Sequence, residues 1–353
     1  MPSLSENILV FIKEKFSPSQ YSCLNEQLER FEIQKPFSGC KVLYAAPLSL
    51  NTLVAMLPIA FGGADLSVSW PEITTPDEKA LSFLQTCGVP CYKKVPDTLS
   101  FDIILDCCGD HAAIESTRGY VELTRSGLAQ YHNLKGKTCF DVDSNPVKNI
   151  ETTLGTGDGL VRALKQSGYL ELQGKEVLLF GFGKVGRGIT RALQLEGLHV
   201  SVVELIEKPQ KYNQSTINWI SSNSKERVLS AVGDADFIVT ATGVNGVIQN
   251  NYPIQPFLDS KAILINMGAV DEYGSDFPNE AILNNKTPLN FILDEPTSMS
   301  FIDPTLALYN ECGALLASQS WDEGIQQPPN SIVQSLVDKF CGEHGYSREE
   351  LMI

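Results

Sequence analysis

The sequence predicts an α/β chain of two domains, each an open parallel sheet with helices on both faces. Three observations carry this. Short apolar runs alternate with helix-length segments along most of the chain. Several runs, such as residues 177–180 and 262–266, are apolar throughout or nearly so, as strands covered on both faces require. The chain has 353 residues, room for about two domains of 100–200 residues.

The elements follow in order. Residues 4–32 carry a helical rhythm, Ile8, Ile12, Phe16 and then Leu24, Leu28, Phe31, which predicts two helices broken near Ser17-Pro18. Residues 41–46 read as a strand, 49–61 as an apolar helix ended by Gly62-Gly63, 66–70 as a strand, 77–86 as a helix and 89–92 as a short strand. Residues 102–106 form a strand running into Cys107-Cys108-Gly109-Asp110-His111. Residues 114–127 read as a helix or a helix and turn, and 138–142 as a strand. Asp143-Ser144-Asn145-Pro146 is turn chemistry and a candidate hinge. Residues 153–168 read as a long helix. Its glycines, Gly155, Gly157 and Gly159, weaken a helix and point to close approach of another backbone. Strands at 237–240 and 262–266 precede Ala241-Thr242-Gly243 and Met267-Gly268-Ala269, small and polar groups at the edge where open α/β sheets bind ligands. Residues 291–293 suggest a last strand. From Pro296 the pattern is helical, with segments at 306–318 and 332–340. The expected division is a first domain over 1–150, completed by 300–353, and a second over 153–295.

Residues 172–204 are the most informative stretch. The strand at 177–180 meets Gly181-Phe182-Gly183-Lys184-Val185-Gly186 at once. A helix follows over 187–196, Gly197 stops it, and a second strand at 200–203 ends on Glu204. This is the order of a dinucleotide-binding βαβ unit, the Rossmann plan. Gly181 allows the tight turn, Gly183 lets backbone approach a pyrophosphate, and Gly186 lets helix pack on sheet. The helix N-terminus offers N–H groups and partial positive charge to phosphates. Glu204, 18 residues past Gly186, stands where a carboxylate accepts hydrogen bonds from a ribose diol. It would repel a 2′-phosphate, and Leu205 and Ile206 supply no cation, so NAD is favoured over NADP.

Composition narrows the partners. The formal net charge of −15 repels nucleic acid and anionic membranes, so neither is an expected partner. No apolar run approaches the roughly 18 residues of a membrane span. The first residues lack the basic region and cleavage site of a secretory signal. The nine cysteines are irregularly spaced without a CxxC pair, so no metal site is expected. Reduced thiols and a cytoplasmic location are the simplest reading.

These pieces together resemble the S-adenosylhomocysteine hydrolases, most clearly over residues 150–275. GKEVLLFGFGKVGRG, DADFIVTATGVNGVI and ILINMGAVDEYG are similar to that family's glycine turn, its strand-TTTG segment and its NIGHFDNEI segment. Upstream, DIILDCCGD resembles LDDGGD, residues 115–119 resemble ETTTG, and LGTGDGL resembles YGCRESL. The resemblance implies an NAD domain coupled to a discontinuous substrate domain, oligomerisation as a homodimer or larger, and oxidation of a ribose 3′-hydroxyl by tightly held NAD. Gly181, Gly183, Val185, Gly186, Glu204, Thr117, Thr242 and Asn266 match its cofactor positions. Lys184, Gly243 and Thr152, the last standing at the family's asparagine, complete the candidate cofactor set. The family's Gly-His is Gly268-Ala269 here, and the second Asp of LDDGGD is Cys107. An imidazole and its carboxylate partner are therefore replaced.

For proton transfer the candidates are Lys148, Glu151, Glu115 and Asp106. Lys148 follows the DSNP turn, where desolvation would lower its pKa toward base function; the competing reading is a solvated loop lysine. Glu151 could orient it, or only complement a helix N-terminus. Asp106, Asp110, His111 and Glu115 are expected together after a strand end. Asp110 and His111 are candidate substrate ligands, against a helix cap and a surface histidine as the plainer readings. Ser49, Asn51 and Thr52 could bind substrate hydroxyls or cap their helix. Cys107 and Cys108 read as buried thiols. The expected function is an NAD-dependent enzyme acting by hydride transfer on a small polar substrate between the domains. An amino- or imino-acid dehydrogenase and a catalytically silent NAD-binding regulator are the alternatives.

Overall fold

The computed structural model describes residues 4–132, 136–213 and 215–351. The chain forms two units, one of residues through Ile150 and again from Met299, the other Glu151–Ser298. The first holds β1 (Lys41–Ala45), β2 (Asp65–Ser69), β3 (Cys91–Tyr92), β4 (Ser100–Asp106), β5 (Glu115–Glu122) and β6 (Thr138–Asp141). The second holds β7 (Glu176–Phe180), β8 (His199–Glu204), β9 (Asn218–Ser221), β10 (Phe237–Thr240), β11 (Ile263–Asn266) and β12 (Ile282–Leu283). The chain then returns to the first unit with a helix, Met299–Ser318, β13 (Gly324–Gln326) and a helix, Asn330–His344.

Both sheets are parallel. Their orders are β13-β6-β5-β4-β1-β2-β3 and β12-β11-β10-β7-β8-β9. In each, the strand order reverses beside the first strand, between β1 and β4 and between β7 and β10. Open α/β sheets bind ligands outside the carboxyl ends of the strands at such a switch point.

The local sequence explains the elements. The helix Leu50–Phe61 is apolar on nearly every side because residues 51–59 are all buried. Ser49 accepts the Thr52 N–H at its start. In the second unit the helix Lys184–Leu195 buries Gly186, Gly188, Ile189, Thr190 and Leu193 along one stripe. A methyl group at Gly188 would lie 1.7 Å from the Thr153 carbonyl oxygen, so this glycine permits backbone-to-backbone packing. That Thr153 belongs to a π-helical stretch, Ile150–Gly155, which precedes the helix Thr156–Gln166 where the sequence predicted one continuous helix.

Two other expectations are corrected, and three short strands went unforeseen. Residues 115–122 are β5 and not helix; the run Gly-Tyr-Val-Glu sits between β4 and β6, and sheet pairing overrides its ambiguous pattern. Residues 289–292 form a 3-10 turn in place of a last strand. Strands β9 (NWIS), β12 (IL) and β13 (GIQ) lack the longer continuous apolar run that marked β10 and β11.

Candidate functional site

In the second unit the β7 turn is built as its glycines require. Gly181 has φ +95°, and a methyl group there would lie 2.5 Å from the Ala241 carbonyl oxygen, against the exit of β10. A methyl at Gly186 would lie 2.2 Å from the Gly181 carbonyl oxygen. At Gly183 it would meet nothing within 4 Å, so this backbone faces open space. The helix Lys184–Leu195 begins with Gly183 at its cap position and no side-chain cap. Its Lys184 is exposed, and Val185 packs on the core.

A pocket of about 390 Å³ opens at this switch point, lined by Gly181, Gly183, Glu204, Leu205, Thr242 and Val244 among others. Glu204 ends β8 and accepts the Phe182 N–H at 2.8 Å and the Leu205 N–H at 2.7 Å. Its carboxylate is thereby fixed on the pocket wall. Leu205 and Val244 are exposed apolar side chains beside it. Lys225 lines the same pocket, a cation that reading only Leu205 and Ile206 overlooked. The donor set suits a dinucleotide: a bare glycine backbone for phosphate, a carboxylate for a ribose diol, and apolar walls for a base.

Two buried side chains hold this edge in shape. Glu272, fully buried, accepts the Thr242 and Gly243 N–H groups and the Thr242 hydroxyl. Burial pushes its carboxyl up. A methyl at Gly268 would lie 1.9 Å from Glu272 Oε1, so any side chain there would have to displace the Glu272 carboxylate. Asn266 is also fully buried. It accepts from the Thr240 hydroxyl and the Gly268 N–H, and it donates to the Val270 and Lys286 carbonyls. Asn266 therefore positions the loop after β11 instead of presenting an amide to a ligand. Gly243 is exposed at the edge; Thr152 and Glu151 are half-buried in the π-helical stretch.

In the first unit the β4–β5 edge carries a polar network. Asp106, fully buried, accepts the Cys107 N–H at 2.9 Å, the His111 N–H at 3.1 Å and the Tyr131 hydroxyl at 2.6 Å. Its Oδ1 lies 2.8 Å from His111 Nδ1, and His111 Nε2 lies 2.9 Å from Ser69 Oγ. This serine–histidine–carboxylate chain has the spacing of a nucleophilic triad. Ser69, however, is fully buried and donates to the Tyr92 carbonyl, so the chain braces the ends of β2 and β4. Glu122 ends β5. It accepts the Cys108 N–H, the Gly109 N–H, and the N–H and hydroxyl of Thr124. Burial and the neighbouring Asp106 push its carboxyl up to about 7.

The register corrects part of the expected cluster. β4 pairs β5 with Ser100 opposite Glu115 and Asp106 opposite Glu122. Glu115 and Thr117 therefore lie at the other edge of the sheet from Asp106, and Thr117 donates to Asp102 at 2.7 Å. Glu122 is the acid that joins Asp106. Its signal was an acid closing an apolar run, legible only once that run is a strand. His111 is buried and not a surface residue; Asp110 accepts the Glu72 N–H at 2.8 Å instead of capping a helix. Ser49 and Thr52 exchange hydrogen bonds as a helix cap, and Asn51 is buried beside them. Lys148 is buried in the short helix Pro146–Asn149, near enough for its charge to favour the Cys107 thiolate. Among the described residues no group of three or more His, Cys, Asp or Glu could hold a metal ion, and no helix is long and apolar enough to cross a membrane.

Residues 152–277 match the model of the S-adenosyl-L-homocysteine hydrolase NAD-binding domain. The chain is 25% identical over 268 residues to an adenosylhomocysteinase of Thermoplasma acidophilum, covering 68% of this chain and 64% of that protein. It is 28% identical over 272 residues to an S-inosyl-L-homocysteine hydrolase of Methanopyrus kandleri, covering 69% and 62%. The matched region thus spans less than two thirds of either relative. Among solved structures, a dipicolinate synthase chain of Bacillus halodurans aligns with TM-score 0.55 at 14% identity, over 80% of this chain and all of that one. Its counterpart from Bacillus subtilis aligns with TM-score 0.50 at 11% identity, over 80% and 99%. These two show the fold alone. Over these stretches the chain is similar to the adenosylhomocysteinases, and its second unit is an NAD-binding Rossmann domain.

Proposed function

We propose that this protein is an NAD-dependent enzyme of adenosylhomocysteinase type, acting on a small polar substrate that carries an oxidisable hydroxyl. The observation behind this reading is the β7–β10 switch point, where an uncapped glycine turn, a fixed carboxylate and apolar walls surround one pocket. NAD, when bound, supplies a hydride acceptor. Glu204 accepts hydrogen bonds from the ribose diol that carries the base. The Gly183 backbone and the first N–H groups of its helix face the pyrophosphate. Thr242 and Gly243, held by Glu272, line the approach. Lys148, buried in the first unit, is the residue we assign to take the substrate hydroxyl proton.

A second reading is favoured by Ala269, Cys107 and the inward-facing first-unit acids. Asp106, Glu122 and His111 are buried, so none presents an open base. That is the pattern of an NAD-binding regulator without turnover.

Denaturing the purified protein and assaying released dinucleotide, then adding adenosine to fresh protein, separates these. Bound NAD that adenosine reduces supports the enzyme. Bound NAD that no alcohol or amino acid reduces favours the regulator, and no binding of NAD at all would sink both. Lys148→Met should abolish turnover and leave NAD binding intact; unchanged turnover removes Lys148 from the mechanism.

A further inference from the structure

We propose that Cys107 and Cys108 are a redox-responsive dithiol at the ligand edge of the first unit, closing to a vicinal disulfide when a hydroperoxide oxidises Cys108. The pair follows β4, directly at the β1–β4 switch point. The two Sγ atoms lie 3.7 Å apart, with Cys107 buried and Cys108 half-buried. Their backbone is pinned on both sides. Asp106 holds the Cys107 N–H at 2.9 Å, while Glu122 and Thr124 hold the Cys108 N–H at 3.1 and 3.0 Å. Cys108 has φ +67°, a left-handed conformation rare for a side chain that is not Asn, Asp or Gly. The surrounding fold, and not local preference, sets the two sulfurs together.

The two thiols are unequal. A hydrogen bond from Cys107 holds the Cys108 thiol below its ordinary value, helped by Thr124 and opposed by burial, Asp110 and Asp106. The same bond, with burial, pushes Cys107 far up. Cys87 and Cys91, also half-buried, are pushed up by burial. Of the two, the half-buried Cys108 is therefore the readier to ionise, and the buried Cys107 stands 3.7 Å away as its partner, the arrangement of an attacking and a resolving cysteine.

The chemistry balances. The Cys108 thiolate attacks one peroxide oxygen, the O–O bond breaks, and the leaving alkoxide takes a proton to become an alcohol. Cys108 is then a sulfenic acid. Cys107 loses its proton, its sulfur attacks Cys108 sulfur, and the departing hydroxide takes that proton as water. Two thiols and one hydroperoxide give one disulfide, one alcohol and one water. Adjacent Cα atoms are only about 3.8 Å apart, below the usual range of about 4.4–6.8 Å for a bridged pair. The bond is thus strained and readily reduced. Closure must turn the peptide whose N–H Glu122 holds, so the ligand edge changes shape with redox state. None of this depends on the NAD reading.

The test is to treat the reduced full chain with near-stoichiometric hydrogen peroxide and map thiols by mass spectrometry. The peptide containing both residues should lose the mass of two hydrogens and resist alkylation at both, and dithiothreitol should restore it. Cys107→Ser should stop at a Cys108 sulfenic acid trapped by dimedone. Cys108→Ser should slow oxidation of this peptide more than about tenfold at neutral pH, since burial still disfavours the Cys107 thiolate and shields its sulfur. The proposal is overturned if the wild-type peptide stays reduced while Cys87 or Cys91 oxidises. It is equally overturned if Cys108 runs on to sulfinic acid with Cys107 still free.

Discussion

Glu122→Gln tests the first-unit network through its pH dependence. Burial, and then Asp106, raise the Glu122 carboxyl from its ordinary value near 4.5 to about 7. Between those values the folded state binds more protons than the unfolded one, so stability falls as pH rises. The contribution is fully present below pH 4.5 and is lost as pH passes 7. At about 1.4 kcal/mol per unit, the change across that window is about 3 kcal/mol. Gln cannot ionise and escapes this loss. It has a cost of its own, because its amide nitrogen must face a backbone N–H at Cys108, Gly109 or Thr124. One buried donor left unmatched costs about 1–3 kcal/mol.

The variant should therefore be less stable than wild type by that amount near pH 5, and equal or more stable near pH 8. Urea unfolding in a Trp219→Phe background reads this cleanly, because Trp70 and Trp321, both in the first unit, remain as reporters. Asp303, also raised to about 7 by burial, titrates in both proteins and cancels in the difference. Two stability curves that stay parallel from pH 5 to 8 would show that Glu122 titrates normally and would falsify the reasoning.

Other outcomes follow from the same geometry. Gly186→Ala forces a methyl to 2.2 Å from a carbonyl oxygen and should destabilise the second unit by about 1–3 kcal/mol or more, measured by thermal melting. Gly183→Ala, with open space around its methyl, should leave the melt unchanged while weakening NAD in calorimetric titration; intact affinity would mean that the phosphates do not approach this backbone. Glu204→Ser should weaken NAD by about 10- to 100-fold, the loss of about 1.4–3 kcal/mol. Its effect on NADP should be smaller, and Lys225→Met should reduce whatever NADP binding then remains. Asp303→Ala removes the acceptor of the Cys23 and Leu24 N–H groups. That should destabilise the first unit by about 1–3 kcal/mol without changing NAD affinity.

The second unit was the easier to read. Its strand, glycine turn, helix and acid lie consecutively in residues 176–204, so one window of sequence holds a whole βαβ unit. The first unit joins groups far apart in the chain. Asp106 meets Tyr131 and His111, and His111 meets Ser69, contacts set by parallel register and crossover helices. A one-dimensional pattern does not fix that register, and so Glu115 was expected where Glu122 stands. Asn266 illustrates a different limit. Its motif marks the right loop, but only its burial shows that the amide serves the chain itself. Glu272 lay inside a recognised segment, ILINMGAVDEYG, with nothing local to say that it turns back onto Thr242.

The two sheets share one winding plan, yet their first turns have different fates. After β7 the chain continues Gly-Phe-Gly. After β1 it continues Ala46-Pro47-Leu48-Ser49. Pro47 has no N–H to donate, and the Thr52 N–H at the next helix is already taken by Ser49. A phosphate offered to β1 would find side-chain bulk and a missing donor where β7 gives bare backbone. Two halves built alike should therefore saturate with a single nucleotide per chain.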